Sequence, residues 1–525
     1  MSDFLKKCKF HFLPACVILA VSLIINFPYL REQPVYIHSW TQSDNYSLSI
    51  GFTHNGGDLF HPQTLIYNKQ QKDFDGPVSL VTACDLPLHH WLVSILMRIT
   101  GSHRPWVFRI TSLAVSIAGI MALYLLTYVL TSSRAKGLLV ATFTTTAPSY
   151  AYYSAAFLPT LPALSLAMGG LLLYVLHLRD AKTWTLHASI LLLTLAMMTR
   201  TSFAVLWIAV ACFQFLRIIK QEDTLKSSWI PFTAGVALFA AWWLWSLHLR
   251  HQYGSLFLGS ILPVKNMEEA RIMMQNVHDR WRFHYFQQMQ HWLYVAVFVA
   301  AITTMIIGKG KRQATGRISL WWFIAIWLFG ELLFGAAMSR QYIDHDYYFL
   351  DSFFLPIVFA MVAMLAILPN PEKRWQKVSL LFLVLIITGF MTNGACRMQK
   401  VRRLEGVETM ATAQRYEKAN RMLDEAGLGS RDLKFLTLFS YPQNLPFTLM
   451  DREGYSVMKP KPEVVAHALT FDFDYILVED EVYRREFDEA PYVLSRLQRL
   501  YGNGELSVCT LSDSVLHTTA DHFFE

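Results

Sequence analysis

The segment Trp40-Thr-Gln42-Ser-Asp44 puts a carboxylate at the head of a long polar stretch, directly behind the first extended apolar run. A carboxylate held where water meets lipid can take a proton from a hydroxyl, as a general base does. An Asp ahead of an apolar-periodic run can equally cap a helix, and both roles are open to Asp44. Asp85, in Asp85-Leu-Pro87-Leu, is a second acid at the edge of a helical pattern. It can orient a nucleophile or assist the base, or serve as an N-cap or loop carboxylate. His89 and His90 follow it and can contact a phosphate, or form the polar rim of a surface helix.

The cations that could hold an anion are few and isolated. Arg109 stands where the chain re-enters an apolar run, Arg200 is the lone charge in Met198-Thr-Arg200-Thr, and Arg340 is similarly isolated just after the run ending near 338. A guanidinium fork grips phosphate oxygens in pairs, so these three are the candidate phosphate ligands. For Arg200 the alternative is a side chain snorkelling to the interface. Beyond Arg340 comes Asp344-His345-Asp346-Tyr347-Tyr348, where His345 and Tyr347 can donate to the same phosphate. Asp-His-Asp also has the composition of a metal site. Three adjacent residues rarely converge on one ion and no partner cluster is evident, so no metal site is expected. No cofactor is expected either, with a divalent ion left open.

The elements that must position these residues read as membrane. Of 525 residues, 53% are hydrophobic and only 16% charged, against about 25% charged in soluble domains. The 15 Trp and 23 Tyr suit interfacial belts. A net charge of +7 raises nucleic acid as a partner. The basic residues fall in short clusters between apolar runs, however, which is the pattern of membrane topology. Six scattered cysteines make neither a disulfide framework nor a CxxC pair.

Eleven apolar runs recur, near 12–30, 107–130, 136–150, 159–178, 184–198, 202–217, 229–248, 291–308, 318–338, 350–368 and 377–394. Some are shorter than the roughly 20 residues of a perpendicular span. The first has Lys6, Lys7 and Lys9 before it and no small-residue cleavage site after it, so it reads as a retained helix. Basic clusters at Arg134/Lys136, Arg179/Lys182, Arg217/Lys220/Lys226, Lys309/Lys311/Arg312/Arg317 and Lys373/Arg374/Lys377 alternate with loops that hold little but Arg200 and Arg340. By the positive-inside rule the N-terminus is then cytoplasmic and the C-terminus external.

The expected fold is an all-α polytopic bundle over 1–394 with about eleven spans. Short interfacial helices lie in the first external loop, 31–106, and a small α/β domain follows over 395–525. Within that tail, a helix near 405–426, strands at Phe435–Phe439 and Tyr475–Val478, and helices near 461–469 and 480–500 are predicted. Cys396 and Cys509 share this external region, and a disulfide between them is one expectation. No Gly-rich phosphate loop supports nucleotide binding.

Trp40-x-Gln42-x-Asp44, then Asn55-Gly-Gly-Asp-Leu-Phe-His-Pro-Gln63, resembles the first external loop of the GT-C superfamily, in particular family 39-like glycosyltransferases, a group that includes protein O-mannosyltransferase and aminoarabinose transferase types. Tyr441-Pro-Gln-Asn and Asp451-Arg-Glu-Gly-Tyr455 resemble the tail of the same group, and His345-x-Tyr347-Tyr348 its stretch before a late span. The resemblance implies an enzyme of the bacterial cytoplasmic membrane moving a sugar from a polyprenyl-phosphate carrier to the hydroxyl of a protein, glycolipid or polysaccharide. It implies inversion, with Asp44 as base. Many relatives carry a second acid beside the first, whereas Asn45 stands here, so no paired-carboxylate role carries over. Two rival classes share the topology. A transporter or flippase of lipid-linked glycan calls for internal repeats and buried mid-span charge. A polysaccharide polymerase or ligase calls for a glycan-length surface in the loops.

Overall fold

A computed structural model describes residues 2–68, 76–257, 259–307, 320–404, 407–458, 461–481 and 496–512. The basic cluster Lys309/Lys311/Arg312/Arg317 and most of the helix expected near 480–500 lie outside the described residues. The chain divides into two compact units, one of 1–31, 108–244 and 259–402, the other of 32–107, 245–258 and 403–525.

The first unit is helical. Every one of the eleven apolar runs forms helix, and among the described residues eight helices are long and apolar enough to cross a membrane. Three helices fall short of that length: Arg134–Thr145, Thr183–Thr199 and Phe354–Ile367. The run expected at 136–150 breaks in two, because Pro148 can open a helix at Pro148–Tyr153 but cannot continue one. Arg134–Thr145 is buried along nearly its whole length. Its Lys136, read from the sequence as a loop cation, donates to the carbonyls of Leu365 (2.9 Å) and Leu368 (2.6 Å), closing the end of Phe354–Ile367. Thr160–Asp180 and Thr183–Thr199 pack through small residues. A Cβ on Gly170 would stand 2.7 Å from Leu193, and Ser189 donates to the Gly170 carbonyl at 2.7 Å. Outward faces such as Phe298, Ile302, Trp322, Phe329 and Phe390 are exposed apolar surface, as lipid-facing positions must be.

The second unit joins the first polar loop to the tail. Strands β1 (Phe435–Leu438), β2 (Gly454–Val457), β3 (Tyr475–Glu479), β4 (Leu497–Gly502) and β5 (Leu506–Leu511) form one sheet in the order β2-β1-β3-β5-β4. β1 is parallel to β2 and β3, while β5 is antiparallel to β3 and β4. The loop segment at Leu65–Tyr67 pairs with Gly454, so it extends the β2 edge. The helix expected over 405–426 is two, Val407–Tyr416 and Ala419–Glu425, and Gly427 takes the left-handed conformation after them. Residues 497–500, expected to be helical, are in β4. That strand lies at the sheet edge with four exposed residues in a row, so its polar sequence lacks a strand signature.

The expected disulfide does not form. Cys396 belongs to the long helix Arg374–Arg402, which runs past 394, while Cys509 is buried in the core beside β3; both thiols are free.

Candidate active site

In the second unit Asp44 lies on the helix Ser39–His54, which opens after His38 in a left-handed conformation (φ 57°). Asp44 is in the second turn, so it is not a cap. The helix is mostly polar yet buried, and its side chains bond back to backbone carbonyls close by in sequence. Gln42 donates to Ile37 (2.7 Å), Ser43 to Trp40 (2.9 Å), Asn45 to Thr41 (2.7 Å) and Ser47 to Asp44 (2.7 Å). These neighbours are thereby engaged elsewhere, and the Asp44 carboxylate draws donors from the tail. Asn444 Nδ2 donates to Asp44 Oδ1 at 2.8 Å, and the Gln443 and Trp40 side chains also bond to it. Gln443 and Asn444 come from the Tyr441-Pro-Gln-Asn loop between β1 and the helix Leu445–Met450. Gly51, on the same helix, lets the backbone of Gln63 approach; a Cβ there would be 2.1 Å from the Gln63 carbonyl oxygen.

Asp44 is only 3% exposed. Burial pushes its carboxyl up to about 7, with the bonds from Asn444, Trp40 and Gln443 pulling the other way. A carboxyl titrating near neutrality can take a proton without already holding one. Tyr441 packs edge-on against Trp40, with centroids 5.7 Å apart, and burial and the Asp44 charge raise its phenol.

The other loop candidates separate. Asp85 is exposed, and Pro87, not Asp85, occupies the N-cap of the helix Leu88–Thr100. His89 and His90 are both buried, so they make no polar rim. Burial lowers His89 to about 3 and His90 well below its usual value, so neither carries charge at neutral pH. Leu92, Leu96 and Ile99 form the exposed apolar stripe of this helix, the face an interfacial helix turns to lipid.

The cationic candidates belong to the first unit. Arg200 sits in an extended link between Thr183–Thr199 and the turn Thr201–Phe203. It pairs with buried Asp351, its Nε donating at 3.1 Å, and lies 5.7 and 5.6 Å from the Tyr347 and Tyr348 rings. The His345 ring is 5.4 Å from that of Tyr347. Arg200, Tyr347 and His345 are thus brought together. Arg340 stands apart, half-exposed and 3.8 Å from Glu269. Arg109 is engaged in packing: it donates to the Ala155 carbonyl at 2.9 Å and lies over Phe157 at 4.5 Å.

Asp344, His345 and Asp346 do not converge. Asp344 is exposed, while Asp346 pairs at 2.5 Å with Arg402 and accepts from Tyr153 at 2.5 Å, all fully buried. Sequence reasoning passed over Asp346–Arg402 and Asp351, although Arg200 and Arg402 mark the edges of apolar runs where a buried counter-charge is required. It also assigned no role to Gln443 and Asn444, although the loop bearing them stood out.

Residues 82–245 match the family model described as dolichyl-phosphate-mannose-protein mannosyltransferase. No curated protein sequence matches the chain. Among solved structures, apo ArnT from Cupriavidus metallidurans is similar at 10% identity and TM-score 0.61, over 96% of this chain and 98% of that one. The same protein bound to undecaprenyl phosphate gives 11% and 0.56 over the same shares. The chain shares the GT-C fold of this membrane protein, and the family-model match is confined to residues 82–245. The mycobacterial arabinofuranosyltransferase AftD is also similar, at 12% identity and TM-score 0.51, covering 96% of this chain and 41% of AftD. Within the GT-C fold the family-model match holds Asp85, His89, His90, Arg109 and Arg200, whereas Asp44 lies before it and Asn444 after it.

Proposed function

We propose that the protein is a glycosyltransferase that takes a sugar from a polyprenyl-phosphate carrier and transfers it to an acceptor hydroxyl, with Asp44 as general base. The observation that carries the reading is a buried carboxyl poised near neutrality and held by donors from a separate part of the chain. The ArnT structure with undecaprenyl phosphate supports the choice of donor class. The acceptor O–H gives its proton to Asp44 while its oxygen forms a bond to the anomeric carbon. The bond from that carbon to the phosphate oxygen breaks, and its electron pair leaves on the phosphate. One displacement inverts the centre. Arg200, with Tyr347 and His345, receives the charge that develops on the departing phosphate, and Asp351 holds Arg200. Asp85, exposed, is assigned to acceptor approach, and Arg340 to the outer rim of the donor headgroup. A bacterial cytoplasmic membrane follows from the family resemblance, and the alternating basic clusters favour an inside N-terminus and an outside tail.

The test is incubation of purified protein in detergent or nanodiscs with a polyprenyl-phosphate-linked pentose or hexose and cell-envelope acceptors. Release of free polyprenyl phosphate with a new glycoside supports the reading. Movement of intact lipid-linked sugar across liposomes without release supports a flippase instead.

A further inference from the structure

We propose that His54, His103 and Asp451 form a divalent-metal site of the zinc type in the second unit. His54 ends the helix that carries Asp44, and His103 lies in the loop after Leu88–Thr100. Asp451 takes the left-handed position (φ 53°) that ends Leu445–Met450, six residues after that helix begins next to Asn444. The three offer ligand atoms within 4.8 Å of one another. His103 Nδ1 is 2.9 Å and His54 Nε2 3.5 Å from Asp451 Oδ1. Bonds of about 2.0–2.1 Å in a tetrahedron set neighbouring ligand atoms roughly 3.3–3.5 Å apart, so small adjustments seat an ion.

The far side of each imidazole is already held. His54 Nδ1 is 3.1 Å from Glu453 Oε1, and His103 Nε2 is 3.1 Å from Thr53 Oγ1. Metal-binding histidines are oriented this way, the nitrogen away from the ion bonding to a carboxylate or another oxygen. Asp451 Oδ2 accepts from Arg431 at 2.7 Å, which leaves Oδ1 to face the imidazoles. The Tyr46 hydroxyl donates to the His103 carbonyl and fixes that loop. A cavity of about 350 Å³ lined by His54, Tyr67, Arg431, Asp451 and Glu453 reaches the cluster. It supplies an entry path and room for a water as fourth ligand. The ion would fasten the end of the Asp44 helix to the tail segment that follows Asn444. The competing state is an ion-paired network in which His54 stays protonated between Asp451 and Glu453.

The test uses the full-length protein purified in detergent without chelator. Zinc is measured by mass spectrometry, and the stripped protein is then titrated with Zn²⁺ and with Co²⁺. One equivalent of zinc per chain, a higher melting temperature on adding it, and a visible cobalt spectrum of tetrahedral type are expected. His103→Ala and Asp451→Asn should abolish all three, and Glu453→Gln should weaken binding about 10–100-fold. Stripped wild-type protein that shows neither the cobalt spectrum nor a zinc-dependent melting shift overturns the site. So does binding that persists undiminished in folded His103→Ala and Asp451→Asn. Should those variants fail to fold, the cobalt spectrum of the wild type decides.

Discussion

Asn444→Ala removes the donor that reaches Asp44 from the tail, at 2.8 Å, and leaves the carboxyl in its buried setting. A hydrogen bond to a charged group contributes about 1.5–3 kcal/mol, and one pKa unit is about 1.4 kcal/mol. The bond stabilises the ionised form, so its loss should lift Asp44 from about 7 by roughly one to two units. At pH 7 the ionised fraction then falls from about half to between a tenth and a hundredth, a drop in rate of about five- to fifty-fold. The rate should recover as pH rises, because the base itself is intact. The assay is kcat/KM for sugar transfer across the range from about pH 6 to 10, with a melting curve at each end. A wild-type profile without an ascending limb near neutrality refutes the argument, as does an Asn444→Ala profile that superimposes on it.

Stability should move with the same group. The folded-state pKa of Asp44, about 7, lies above its ordinary 3.8, so folding is favoured by protonation and loses stability as pH climbs through 7. Asp44→Asn is spared that loss, and its melting advantage at pH 9 should exceed that at pH 5 by roughly 2–3 kcal/mol; equal gaps at both pH values count against a buried acid. Arg200→Ala should raise the KM for the lipid donor while leaving Arg109→Ala, whose guanidinium is spent on Ala155 and Phe157, with a fold defect instead. Steady-state kinetics with both variants separates them, and a normal donor KM in Arg200→Ala removes it from the phosphate site. Asp346→Asn strands the fully buried Arg402 and should cost about 3–5 kcal/mol, seen as loss of folded protein in detergent chromatography; wild-type recovery would show that the pair is not needed. Reporter fusions after Arg312 and after Arg402 should report opposite sides of the membrane, and the same side for both would overturn the assigned orientation.

Much of the fold was legible because lipid and period impose it. Eleven apolar runs became helices, since a single segment can satisfy its own backbone polar groups in hydrocarbon only as a helix. β1 and β3, buried and apolar, were legible for a related reason. β2, β4 and β5 were not: four to six residues with polar or glycine neighbours carry no period, and only pairing across the sheet makes them strands. At the site, Asp44 and Arg200 stood out as charges beside apolar sequence. Their partners did not. Asn444 reaches Asp44 across 400 residues of chain, and Asp351 reaches Arg200 across 151. The exposure of Asp85 was not legible either, since its Asp-Leu-Pro-Leu pattern fits a cap as well as a loop. The burial of His89 and His90, which disfavours their charged form, is set by the unit as a whole and leaves no mark in the local sequence.

The central claim rests on the carboxylate of Asp44, and Asp44→Asn tests it most directly. The amide keeps the side chain's shape, and the helix is not capped by this residue, so the variant should fold and bind the lipid donor as wild type does. Single-turnover transfer of sugar by the purified variant, beside a melting curve and a donor-binding isotherm, is the measurement. A rate lower by about 10²–10⁴-fold with binding intact is expected for a lost general base. A folded Asp44→Asn protein that transfers sugar at the wild-type rate would contradict it and move the chemistry away from this helix.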